Sequence, residues 1–132
     1  MNEERSVIYQ PDKFNWLEIP VSFKKIIELN IFDFEPWYIL QGDMLADEVA
    51  GLVERYPDRE LYPFAKRDDN DDVACWQNGF GRRVLIIHDY AKPGWELKRE
   101  FPSFIEWFEA ALSEMIEFLK EEENFSQKGD GE

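Results

Sequence analysis

His88, the only histidine in the chain, is followed by Asp89, and this pair is the one place from which a general base could come. The only cysteine, Cys75, falls on a neighbouring strand-like run, so a Cys–His nucleophile and base are conceivable there. A working pair also needs donors for an oxyanion and a third group to orient the base. Neither an oxyanion-hole glycine turn nor an orienting residue accompanies it at a recognisable spacing. A histidine that ends an apolar strand is more commonly hydrogen-bonded to its surroundings. A hydrolase using His88, Asp89 or Cys75 is therefore the lesser expectation, and no catalytic residue or cofactor is expected.

Asp68, Asn70 and Asp72 stand at the first, third and fifth positions of a calcium-binding loop. The pattern then fails: Val73 takes the place of the turn glycine and Gly79 that of the closing glutamate. No metal site is expected. The chain has no phosphate-cradling glycine loop, no paired-cysteine zinc spacing and no stripe of lysine and arginine.

What this acidic run offers instead is a contact surface. Four of the five residues from 68 to 72 are carboxylates, which repel one another at a turn that fewer charges would make. Such a cluster steers a basic partner, and aromatic side chains beside it supply anchors. Asp68, Asp69, Asp71, Asp72, Trp76, Trp95 and Glu96 are the expected partner-binding residues. Trp95 follows Pro93-Gly94 and is expected to be exposed, whereas Trp107 neighbours an apolar stripe and is expected at the core or its edge.

The overall charge agrees. Lysine and arginine number 15 against 29 aspartate and glutamate, a formal net charge of −14. Such a surface repels phosphate backbones and anionic lipid and attracts basic proteins, so neither nucleic acid nor membrane is an expected partner. The 132 residues, 44% hydrophobic and 16% aromatic, suffice for one core. A single domain over 1–132 is expected, with an N-terminal arm over 1–13, where Val7, Ile8 and Tyr9 could pair as a short strand, and a frayed acidic tail over 121–132. The charged start lacks a secretory signal, and one cysteine gives no internal disulfide, so the expected location is the cytoplasm.

The elements that place these residues follow from periodicity. Pro20 opens a helix through Leu29, with Phe23, Ile26 and Ile27 at helical spacing. Pro36 to Leu40 reads as a strand, and Asp43 as the cap of a helix over Met44 to Tyr56 with a stripe of Leu45, Val49, Leu52 and Val53. Leu61 to Lys66, Val73 to Gln77 and Arg83 to His88 are strand-like runs joined by turns, hence an antiparallel meander. Val84 to Ile87 is apolar on both alternations, as in a strand covered on both faces. A last helix runs from Pro102-Ser103 to about Lys120 and packs on the sheet. The class is α+β.

Ile19-Pro20 with Phe23 and Ile27, then Trp37-Tyr38-Ile39-Leu40, Pro63-Phe64-Ala65, the acidic turn, Val73-Ala74-Cys75-Trp76, Val84 to Tyr90, and Phe104 with Trp107-Phe108 follow one another in an order that resembles the SUKH superfamily. That group contains bacterial toxin-immunity proteins and fungal regulators of cell-wall glucan synthesis. The glycine-rich turn that many members carry after the first helix is replaced by Asn30-Ile31-Phe32-Asp33. The resemblance implies a non-enzymatic α+β domain. For bacterial members it also implies neutralisation of a cognate toxin, often a basic nuclease, by direct binding. It carries no catalytic set. The alternative is a regulatory or adaptor protein without a toxin partner.

Overall fold

Proline has a φ suited to a helix start, and Pro20, at −61°, precedes α1 (Val21–Glu28). Phe23, Ile26 and Ile27 form its buried stripe. The helix ends in a Schellman turn: Ile31 N–H donates to Ile26 O at 2.9 Å and Asn30 N–H to Ile27 O at 3.0 Å. The residue at the bend must take a left-handed conformation, and Asn30 does so at φ 60°. Asparagine is the non-glycine residue best able to stand there, which is how this chain turns without a glycine.

The computed structural model describes residues 14–130. The expected arm and its Val7-Ile8-Tyr9 strand lie outside them. After α1 come β1 (Asp33–Phe34), β2 (Trp37–Ile39), α2 (Gly42–Arg55), β3 (Leu61–Arg67), β4 (Asp72–Gln77), β5 (Val84–His88), β6 (Leu97–Phe101) and α3 (Phe104–Asp130). The strands form one antiparallel sheet in the order β1-β2-β3-β4-β5-β6, a meander in an α+β fold.

Four elements differ from expectation, β1 and β6 being strands that the sequence pattern does not announce. Asp43 lies inside the first turn of α2, favourable for the helix dipole, while Gln41 holds the cap position without a side-chain cap bond. The helix α3 continues to Asp130 instead of ending near Lys120; from Ile116 to Phe125 its side chains are exposed.

Alternation along β4 assigns the layers. The Trp76 ring meets Phe23 of α1 at 5.3 Å, Phe64 of β3 at 4.3 Å and Phe104 of α3 at 6.5 Å. Cys75, one residue earlier, points to the opposite face, where α2 lies. Both are buried because both faces are covered, and Val84, Leu85, Ile86 and Ile87 of β5 are buried for the same reason. On the α1/α3 face, Phe34, Trp37, Phe64, Phe104 and Trp107 pack mostly edge to face, the arrangement that ring quadrupoles favour.

Candidate functional site

In a meander, every second connection emerges at the same end of the sheet. The turn between β1 and β2 at residues 35–36, the β3–β4 turn at 68–71 and the β5–β6 loop at 89–96 share one end. Backbone bonds tie them: Asp68 N–H donates to Pro36 O at 2.9 Å, and Asp89 N–H to Asp71 O at 3.0 Å. Glu35, Asp68, Asp69, Asp71, Tyr90 and Trp95 are exposed there. Trp95 is 78% exposed and Tyr90 63%, far more than rings of this size need be.

The seven residues singled out in the sequence divide. Asp68, Asp69, Asp71 and Trp95 lie on this exposed end. Asp72 does not: its carboxylate is buried, with Oδ1 2.8 Å from His88 Nδ1 and Oδ2 2.7 Å from Lys98 Nζ. Trp76 is core, turned under α1 and α3 by the strand alternation. Glu96 is buried too, accepting from Arg59 Nε at 2.6 Å and from Gly94 N–H at 2.6 Å. Asp72 and Glu96 frame this surface with carboxylates that are already paired, and Trp76 lies in the core away from it.

The acidic turn is itself held. Arg67 donates to both oxygens of Asp69, at 2.8 and 2.9 Å, and reaches Glu114 on α3 at 2.7 Å. The Arg67 guanidinium holds the Asp69 carboxyl below its ordinary range. Asn70 Oδ1 accepts from Asp72 N–H at 2.8 Å, a turn in which an asparagine side chain substitutes for backbone. The side chains of Asp68 and Asp71 make no such bonds among the described residues, so their charges face solvent.

Under the aromatic loop lies a polar network between the sheet and α2. Arg55 clasps Asp89 with two bonds, Nε to Oδ1 at 2.6 Å and Nη2 to Oδ2 at 2.8 Å, and its guanidinium lies 4.1 Å from the Tyr90 ring centroid. Tyr90 N–H donates to Asp89 Oδ1 at 2.9 Å, and Tyr90 itself takes a φ of 70°. Tyr56 Oη donates to Ala91 O at 2.8 Å, and Arg59 bridges Glu96 to Gln77. Both ends of the 89–96 loop are thus fastened by charged pairs, so Trp95 is displayed on a loop that is already ordered. Ordering in advance lowers the entropy cost of binding.

Glu48 completes the network. Lys66 Nζ donates to its Oε1 at 3.2 Å, while Oε2 has no hydrogen-bond partner. Burial, and the Asp89 carboxylate beside it, push the Glu48 carboxyl up to about 7. Burial would also raise Asp89, but the bonds from Arg55 outweigh it and hold that carboxyl below its usual range. Val53, expected on the apolar stripe of α2, is exposed, and Glu48 is buried. Its spacing, three after Leu45 and four before Leu52, was the available signal.

Cys75 and His88 do not meet. Asp72 and His88 are register partners, and their side chains lie on the α3 face, whereas Cys75 faces α2. Burial pushes the Cys75 thiol well above its ordinary pKa, the reverse of an activated nucleophile. Among the described residues no group of His, Cys, Asp and Glu is arranged to hold a metal ion, and no helix is long and apolar enough to cross a membrane. No family model, curated protein or solved structure matches this chain.

Proposed function

We propose that this chain is a non-enzymatic protein-binding domain of the immunity type, which neutralises a cognate basic toxin, nuclease-like in charge, by direct binding in the cytoplasm. The observation that carries the reading is Trp95, a ring 78% exposed on a loop fastened by two ion pairs whose carboxylates are buried, and set beside a turn of carboxylates. A folding chain gains nothing from holding an indole in water. A partner gains an anchor that loses little entropy on binding. Carboxylates around such an anchor speed encounter with a basic surface and exclude nucleic acid from it. The net charge of −14 and the SUKH resemblance support the same reading.

The test uses a basic toxin domain encoded beside this gene, with complex lifetimes read by surface plasmon resonance. Trp95→Ala and Tyr90→Ala each shorten the lifetime at least about tenfold, as central aromatic anchors do. Trp95→Ala leaves folding stability within about 0.5 kcal/mol, as exposed substitutions do. Unchanged lifetimes for both variants place the contact elsewhere.

A further inference from the structure

At the opposite end of the sheet from the acidic turn, a groove of about 970 Å³ opens between α1, the start of α3 and the β4–β5 connection. Its chemistry is the inverse of the acidic surface. Trp16 and Trp76 both line it, and the indole N–H of each is buried without a hydrogen-bond partner. Trp76 is only 2% exposed. A buried donor left unpaired costs about 1–3 kcal/mol, and two along one groove are uncommon in a folded chain. The N-terminus of α1 opens here as well, with no side-chain cap on its free N–H groups. At the start of α3, Ser103 Oγ donates to the Glu106 carboxylate.

Charge and shape point the same way. Lys24 and Arg82 line the groove and make no ion pair among the described residues, although the chain carries 29 carboxylates. Glu18 is the single carboxylate on the lining. Val21, 81% exposed, and Ile105 give it apolar walls. Donors without acceptors, cations without partners and apolar walls together specify an acceptor-rich, acidic and apolar occupant. The volume is at the upper end for small-ligand pockets and suits a few residues of extended chain.

We infer that this groove binds an extended peptide segment with apolar side chains and a carboxylate. Its carbonyl or carboxylate oxygens are the acceptors that the Trp16 and Trp76 N–H groups lack. The site is separate from the acidic end and does not depend on the proposed toxin partner, so either can fail without the other.

The test is a titration of protein labelled with ¹⁵N at tryptophan, following indole N–H resonances assigned through Trp16→Phe and Trp76→Phe. The probes are N-acetyl-Leu-Asp-Leu with a free carboxylate, N-acetyl-Leu-Lys-Leu-amide, and hexanoate. The acidic peptide is expected to shift the Trp16 and Trp76 signals saturably at or below about millimolar concentration, and the lysine peptide to shift neither. The surface variant Lys24→Glu/Arg82→Glu is expected to weaken that shift at least about tenfold. If neither indole moves, if both peptides act alike, or if hexanoate acts as well as the acidic peptide, the inference is overturned. A shift confined to Trp95 would overturn it as well.

Discussion

Replacing Asp89 with alanine is expected to cost about 3 kcal/mol of folding stability, the low end for breaking a buried ion pair by removing one partner. Asp89 is 0% exposed and accepts three bonds, two from Arg55 and one from Tyr90 N–H. Its loss strands the Arg55 guanidinium, which is saved from the full penalty by partial exposure and by Glu48 Oε2 at 4.0 Å. The melting temperature should fall by about 10 °C for a domain of this size. Asp89→Asn, which keeps an acceptor for Tyr90, should lose less. Urea unfolding measures both. A loss below about 1 kcal/mol for Asp89→Ala would mean that the Arg55 clasp does not fasten the loop.

The second large effect is one of pH, and its sign is unusual for a carboxylate. The Glu48 carboxyl rises from 4.5 to about 7 on folding. Below pH 4.5 both folded and unfolded chains hold this proton, and Glu48 contributes no pH dependence. Between 4.5 and 7 the folded chain holds a proton that the unfolded chain has released, so stability falls as pH rises through that window. At 1.36 kcal/mol per pH unit the loss is about 3 kcal/mol, complete above pH 7. Asp89, whose carboxyl is lowered, acts in the opposite sense and lower down: its contribution is present above 3.8 and lost as pH falls through its folded value. Glu48→Gln keeps an acceptor for Lys66 but cannot ionise. It should flatten the decline between pH 4.5 and 7 and be more stable than the unmodified chain at pH 8. An equal change in stability between pH 5 and 8 for the two proteins, measured by urea unfolding, would contradict a protonated Glu48 in the folded chain.

The meander was legible because its strands are short, alternating or wholly apolar, and joined by turn residues. Of the six strands two escaped: β1 because it is only two residues long, and β6 because Lys98, Arg99 and Glu100 occupy its middle and only Phe101 is buried. Charge of this kind is what guards a sheet edge against another chain, and it erases the apolar pattern that reveals a strand. The exposed half of the candidate site was legible from composition: carboxylates at a turn and a tryptophan after Pro93-Gly94. Its buried half was not. Asp72, Glu96, Asp89 and Glu48 read as solvated charges until the fold sets cations against them, from Lys66 two residues before the turn to Arg55 and Arg59 on and after α2. Partners so distant along the chain leave no local periodicity to find.

The exposed acidic end is best tested by reversing the two carboxylates that carry no structural bond. Asp69 is unsuitable, since it holds Arg67, whereas Asp68 and Asp71 are free to change without loosening the turn. Association of a cognate basic domain with the chain and with Asp68→Lys/Asp71→Lys should be followed by surface plasmon resonance from about 50 to 500 mM salt, a range that spans strong to weak screening. The double reversal should slow association by about tenfold or more at the low-salt end and flatten the dependence of that rate on salt, with melting temperature unchanged. An association rate and salt slope identical to those of the unmodified chain would show that the acidic turn takes no part in binding.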